Sequence, residues 1–309
     1  MFSVTEICTP KGTLQYREEH FSGRRCRISP DRSKRHTLPS LPQPGEHGEC
    51  PFCPERVFSA TPVFPDGQRI LKGESVTFPN MYPFGQGHVV TVVTRDHSAG
   101  TFSRQQLADA LGGQVEALRR YEGYPSINMN YLPSAGASIV HPHMQGLCDI
   151  RPSRAMGMYL SAGRKFRRDH GRNYWEALRE EEASSPRYLF GREILWSAHP
   201  VPIGEREIRG ILPVHSLDEV DSYLDLLARG ILEVLAFYRA MGTLAFNMSV
   251  FFDKPGGDPD FSAFCSLISR INPNPSSMSD SAFMERLHYE PVIMTLPEEM
   301  GALYRSRKK

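Results

Sequence analysis

Two stretches of this 309-residue chain repeat one order of elements, and an internal repeat restricts the available folds more than any single segment does. The first copy runs from Glu74-Ser75-Val76-Thr77-Phe78 through Tyr82-Pro83-Phe84-Gly85 to a β-rich Gly87-His88-Val89-Val90-Thr91-Val92-Val93. It continues with Asp96-His97-Ser98, an amphipathic segment and Ser126-Ile127-Asn128-Met129-Asn130. The second copy runs from Arg192-Glu193-Ile194-Leu195-Trp196 through Val201-Pro202-Ile203-Gly204 to Glu207-Ile208-Arg209-Gly210-Ile211-Leu212. It continues with Val214-His215-Ser216, another amphipathic segment and Ala245-Phe246-Asn247-Met248. Leu107, Leu111, Val115 and Leu118 recur at helical steps, as do Leu224, Leu227, Ile231 and Leu235. The expectation is an α+β fold of duplicated units, each an antiparallel sheet packed with helices, in one pseudo-symmetric chain of two halves. Residues 1–153 form the first half, 154–187 a charged helical connector, and 188–309 the second half.

Composition narrows the function classes. The chain is 40% hydrophobic, enough for a sizeable core, and its formal net charge of +1 carries no electrostatic footprint for nucleic acid or a membrane surface. No stretch approaches the roughly 18 apolar residues that span a bilayer, and no apolar region follows basic residues at the N-terminus. A cytoplasmic protein is expected.

Six cysteines over this length do not form a disulfide framework. Cys50-Pro51-Phe52-Cys53 can present two thiolates to one tetrahedral zinc, with the other ligands supplied from distant sequence. A thioredoxin-like redox pair and a plain structural role are the alternatives, although this pair follows the Pro/Gly-rich stretch from Leu41 to Gly48 instead of a strand. Cys8, Cys26, Cys148 and Cys265 show no paired spacing and read as buried apolar residues.

In Ser138-Ile139-Val140-His141-Pro142-His143-Met144-Gln145, an extended backbone would set His141, His143 and Gln145 on one face. Holding a metal and attacking phosphorus both suit such a set; surface or satisfied core histidines are the plainer reading. The matching second-copy strand, Phe261-Ser262-Ala263-Phe264-Cys265-Ser266-Leu267-Ile268, has no histidine pair, so the halves are expected to divide catalysis from support.

With these motifs in order, the chain resembles galactose-1-phosphate uridylyltransferases and the related nucleotidyltransferases and phosphorylases of the histidine-triad superfamily. The resemblance covers most of the first half. It implies that Cys50, Cys53, His97 and His141 hold a zinc ion, that His143 is the nucleophile and that Gln145 assists it. It further implies that Arg32 and Arg35 of the basic segment Arg27 to Arg35 face nucleotide phosphates. Asn80 falls at the base- or ribose-contacting segment, and Asn130, Gly136 and Ser138 line the phosphates. Met81 departs from the family, since typical uridylyltransferases carry an acidic residue after this asparagine. Ser279 to Glu290 occupies the hexose-phosphate region without clean alignment.

A Cys2His2 set saturates tetrahedral zinc, so such a site is structural. A neutral imidazole can attack the α-phosphorus of a nucleoside diphosphate sugar, provided that its other nitrogen donates to a fixed acceptor such as a backbone carbonyl. The resemblance implies transfer of a nucleoside monophosphate, UMP in the family's named members, between a nucleoside diphosphate sugar and a sugar 1-phosphate. A phosphorylase of ADP-sugar or dinucleoside polyphosphate type, with inorganic phosphate as acceptor, is the first alternative, and a non-catalytic nucleotide-binding zinc module the second. A homodimer is a further expectation from the family.

Overall fold

The apolar alternation of the two copies becomes a single sheet. The computed structural model describes residues 1–9, 12–30, 50–97, 100–270, 281 and 283–307. In chain order these form β1 (Phe2–Thr9), β2 (Gly12–Glu19), β3 (Arg25–Ile28), the one-turn helix α1 (Val57–Ala60), β4 (Ile70–Lys72), β5 (Ser75–Pro79), β6 (Gly87–Val92), α2 (Arg104–Leu118), β7 (Tyr124–Tyr131) and β8 (His143–Asp149). There follow α3 (Arg154–His170), α4 (Tyr174–Ala183), β9 (Tyr188–Phe190), β10 (Leu195–Ala198), β11 (Ile208–Ile211), α5 (Leu224–Ala240), β12 (Phe246–Phe251), β13 (Phe264–Ser269), β14 (Val292–Ile293) and α6 (Pro297–Ser306).

Ten strands lie in the order β4-β5-β6-β8-β7-β12-β13-β11-β10-β9, and every neighbouring pair is antiparallel. The order is a palindrome of the repeat: each half contributes five strands, and β7 meets β12 with Met129 opposite Met248. The duplicated α+β architecture of the sequence is therefore present, with both copies fused into one continuous sheet. A second sheet, β1-β2-β3-β14, closes with a parallel pairing of β14 on β3.

The amphipathic helices pack where their periodicity directs them. Ser103 caps α2 by accepting from the Gln106 amide while the Gln106 side chain accepts from the Ser103 amide, so two end groups are satisfied together. Leu107, Leu111, Val115 and Leu118 of α2, with Leu227, Ile231 and Leu235 of α5, are buried in the core on one face of the large sheet. The charged stretch after Arg154 does more than connect. Met156, Tyr159, Leu160, Tyr174, Trp175 and Leu178 of α3 and α4 bury their rings and methyls against Ile211 and Phe264, covering the opposite face of the second half. Cys26, Cys148 and Cys265 are buried free thiols, while the side chain of Cys8 lies outside the described residues. No described helix is long and apolar enough to cross a membrane.

One expectation is corrected. His141 does not share a strand with His143: Ser138 to Pro142 runs through a bend, and β8 begins at His143. Pro142 has no N–H to give a ladder and contributes only its carbonyl, which accepts from the Val93 amide at 3.0 Å. From His143 onward alternation holds, so Met144 and Cys148 enter the α2-side core while His143 and Gln145 take the other face.

Gly146, in β8 beside Gln145, shows how tightly α2 seats under this strand. A Cβ there would run into Gln114 Oε1 and come within 2.7 Å of Val89 Cγ2. Gly146→Ala is expected to cost about 1–3 kcal/mol through overpacking, read as a lower denaturation midpoint; an unchanged midpoint would mean that helix and strand separate freely here.

Candidate active site and metal centre

The site forms on the sheet face away from α2 and α5, at the end of β8. There the Cys50–Cys53 turn, His97 and the bend before β8 meet. The ligand atoms of Cys50, Cys53, His97 and His141 all lie within 4.8 Å of one another. His141 Nδ1 is 3.8 Å from Cys50 Sγ and 3.7 Å from Cys53 Sγ, and His97 Nδ1 is 3.4 Å from Cys53 Sγ. Metal–sulfur and metal–nitrogen bonds of zinc length, set tetrahedrally, give edges of about 3.5 Å between sulfur and nitrogen, so this donor set fits such an ion. Two local features support the fit. The Phe52 amide points at Cys50 Sγ at 3.4 Å, and His141 Nε2 lies 2.8 Å from the Thr94 carbonyl, to which it donates. That second bond leaves Nδ1 as the lone-pair nitrogen facing the thiols. Burial lowers the His141 pKa, favouring the neutral ring a ligand needs. Burial, then Cys50 beside it, pushes the Cys53 thiol up to about 11, which a bound cation would reverse.

Phe52 ties this cluster to the next group. Its ring packs edge-on against His143 at 5.2 Å between centroids and against His141 at 6.3 Å. His143 is 5% exposed, and its Nδ1 donates to the His141 carbonyl at 2.8 Å. The tautomer follows: Nε2 carries the lone pair and has no hydrogen-bond partner among the described residues. Burial lowers the pKa of this ring as well, against the bond to His141, which raises it.

Gln145 lies two residues along the same face, its backbone carbonyl held by Asn128 Nδ2 at 3.2 Å and its Oε1 3.0 Å from His88 Nε2. His88 was not singled out by the sequence reading. Alternation along β6 places it on the same side as Val90 and Val92, but only the register of β6 on β8 brings it diagonally beside Gln145. Asn80 meets the same nitrogen of His88, with Nδ2 3.0 Å from Nε2, while its Oδ1 accepts from the Tyr82 amide. Met81 next to it is 55% exposed. Asn130 lies on the Gln145 face of β7, Gly136 (φ +88°) closes the turn after it, and Ser138 is exposed in the bend beyond. Arg32 and Arg35 lie outside the described residues, as do Ser279, Asp280 and Ala282 of the hexose-phosphate region.

The second half shows what became of the equivalent place. With Met129 opposite Met248 as the pseudo-dyad, the strand registers map Gln145, opposite Asn128, onto Ile268, opposite Asn247, and so His143 onto Ser266. Ser266 Oγ donates to Glu207 Oε1 at 2.8 Å, Arg209 Nε donates to the same oxygen at 2.7 Å, and Arg209 Nη2 donates to Tyr159 Oη at 2.6 Å. Burial would raise the Glu207 carboxyl, but Arg209 and His199 hold it well below the usual carboxylate range. An internally satisfied ion-pair network therefore fills the counterpart of the His143 position.

No family model matches the chain. An uncharacterized protein of Archaeoglobus fulgidus is 30% identical over 260 residues, covering 81% of this chain and 78% of that one. The two belong to one family. Among solved structures, an ADP-glucose phosphorylase of Arabidopsis thaliana with bound ADP-glucose matches at TM-score 0.75 and 15% identity over 94% of this chain and 98% of that one. A GalT-like protein of Arabidopsis thaliana matches at 0.74 and 15% identity with the same coverage. A uridylyltransferase matches at 0.70 and 18% identity over 94% and 97%. The fold is thus the one shared by that ADP-glucose phosphorylase, the GalT-like protein and the uridylyltransferase.

Cys53→Ser tests whether the Cys50, Cys53, His97 and His141 cluster holds a metal. A closed site contributes folding energy directly, so metal content and Tm are expected to fall together, the latter by about 10 °C or more. Metal analysis with calorimetry checks this; unchanged metal content excludes the cluster as a metal site.

Proposed function

We propose that this protein transfers a nucleoside monophosphate, UMP foremost, between a nucleoside diphosphate sugar and a sugar 1-phosphate through a covalent nucleotidyl-His143 intermediate. One observation carries the reading: His143 Nδ1–H is committed to the His141 carbonyl, so a buried neutral ring presents the Nε2 lone pair. In the first step Nε2 attacks the α-phosphorus, the bond from phosphorus to the bridging oxygen breaks, and the sugar 1-phosphate leaves with that electron pair. The ring becomes cationic, and the bond from Nδ1–H to the His141 carbonyl strengthens as charge develops. In the second step a phosphate oxygen of the acceptor attacks phosphorus, the P–N bond breaks and His143 returns to its neutral state.

In this reading the Gln145 amide donates to a non-bridging oxygen, with its Oε1 turned towards His88. Asn130, Gly136 and Ser138 line the phosphates, Arg32 and Arg35 neutralise them, and Asn80 contacts the base or ribose. We assign zinc to Cys50, Cys53, His97 and His141, where it would hold the Cys turn and the His97 segment against the bend that carries the His141 carbonyl. The division of labour follows the sequence boundaries: residues 1–153 carry the chemistry, 154–187 connect, and 188–309 support it. The first solved structure named above is of an ADP-glucose phosphorylase, which favours a second reading with inorganic phosphate as acceptor. Both share the first half-reaction.

His143→Ala is expected to abolish formation of an acid-labile nucleotidyl adduct from a labelled nucleoside diphosphate sugar, a loss of at least about 10³-fold. Retained nucleotide exchange in that variant would refute the mechanism. Offering labelled phosphate and hexose 1-phosphate separately to the adduct decides between the two acceptors. Because burial lowers the His143 pKa, protonation removes the nucleophile only below the ordinary histidine value. The rate of adduct formation should therefore stay level as pH falls from about 8 to about 6.5 and drop only at lower pH; a midpoint above about 7 would contradict the buried neutral ring.

A further inference from the structure

We infer that Asn247, carried by the second half, is a positioning residue for the phosphate-facing groups of the first, an assignment that rests on the nucleotidyl-transfer reading above. Asn247 on β12 lies directly opposite Asn130 on β7. Both side chains leave the sheet on the face of Gln145, since Phe246 and Met248 of β12 and Met129 and Tyr131 of β7 are committed to the α2–α5 core.

The orientation of the Asn247 amide is settled by its partners. Arg270 Nη1 lies 2.7 Å from Asn247 Oδ1, and a guanidinium can only donate, so this end is the oxygen. Nδ2 then faces two acceptors, Asn130 Oδ1 at 2.6 Å and the Ala135 carbonyl at 2.8 Å, and its two hydrogens match them. The Ala135 contact assigns the nitrogen independently, because a carbonyl can only accept.

Two consequences reach the first half. With Oδ1 occupied, Asn130 is left with its NH₂ directed to the turn, where Nδ2 lies 3.9 Å from the place a Gly136 Cβ would take. The bond to Ala135 secures the turn Pro133–Ala135 between two residues of positive φ, Leu132 at 72° and Gly136 at 88°. A branched residue such as Leu132 adopts that region only when its surroundings hold it there. The donors proposed to face the phosphates are therefore aimed by a side chain from the half that has no nucleophile. Ser249 repeats the device one step along, its Oγ donating to Asn128 Oδ1 at 2.8 Å while Asn128 Nδ2 holds the Gln145 carbonyl.

The test uses the full-length metal-loaded protein with α-³²P-labelled UDP-glucose and ADP-glucose. Adduct formation is measured in wild type, Asn130→Ala, Asn247→Asp, Asn247→Ala and the double variants with Asn130→Ala. Asp keeps the size of Asn247 and the Arg270 contact but has no hydrogen to donate, and Ala removes both without adding charge. Each single variant is expected to slow labelling by about 10- to 100-fold, and each double variant to be no slower than Asn130→Ala alone. Multiplicative losses would make Asn247 a merely structural residue of the seam and overturn the proposal. The side-chain amide resonances of ¹⁵N-labelled asparagines supply a readout free of turnover: in Asn247→Asp the Asn130 signals should shift, and unmoved signals would also overturn it. Failure of wild type to label with either sugar would count against the transfer reading, while the amide spectrum would still decide what Asn247 does to Asn130.

Discussion

The pairing of β7 with β12 is the contact on which the rest of the molecule depends. Without it each copy would end in an exposed strand edge with a row of unpaired amides and carbonyls, and the α2 and α5 cores would be separate. With it, ten strands share one hydrogen-bond ladder, and a single apolar core runs from Leu107 to Tyr238 under both copies. The same seam places Asn128, Asn130, Asn247 and Ser249 side by side in a polar stripe next to Gln145. A fold made by duplication has thereby put groups from both halves at the edge of one candidate site.

Duplication also left two equivalent places, and they diverged by charge. In the first half the face of β8 carries His143 and Gln145, with the four-ligand cluster beside them. In the second, Ser266, Glu207 and Arg209 form a satisfied ion-pair network beneath Tyr159, and α3 and α4 seal it with Tyr174 and Trp175. A buried pair of this kind contributes modestly to stability compared with apolar packing, but removing either partner strands a charge, so the network resists loss once formed. The half without the histidine pair instead carries this buried network at the position equivalent to His143.

Much of the fold was legible because periodicity records which face a residue takes. The leucine steps of α2 and α5 and the alternation in Gly87 to Val93 specify elements and buried faces directly. The strand containing His143 and Gln145 was readable in the same way, whereas Pro142 delays the start of that strand to His143, two residues later than a plain reading of His141 to Gln145 would place it. The set Cys50, Cys53, His97 and His141 came from family resemblance, since no spacing rule reaches from Cys53 to His97. His88 was missed because a lone histidine in an apolar strand has no partner visible in sequence; its partner Gln145 lies 57 residues away. Asn247 and Arg270 were invisible for the same reason.

Sequence alone determined the duplicated plan, the element types, the two amphipathic helices and the asymmetry between a half with the His-Pro-His-x-Gln motif and a half without it. Each of these is written in local side-chain spacing, which backbone geometry converts into a face. Tertiary structure alone decided that both copies share one sheet, that His141 turns away from His143, and that Asn247 reaches Asn130. Those outcomes depend on register. A hydrogen-bond ladder is nearly blind to side-chain identity, so register is chosen by the packing of Met129 against Met248 and the helices beneath, a global fit that no local pattern contains.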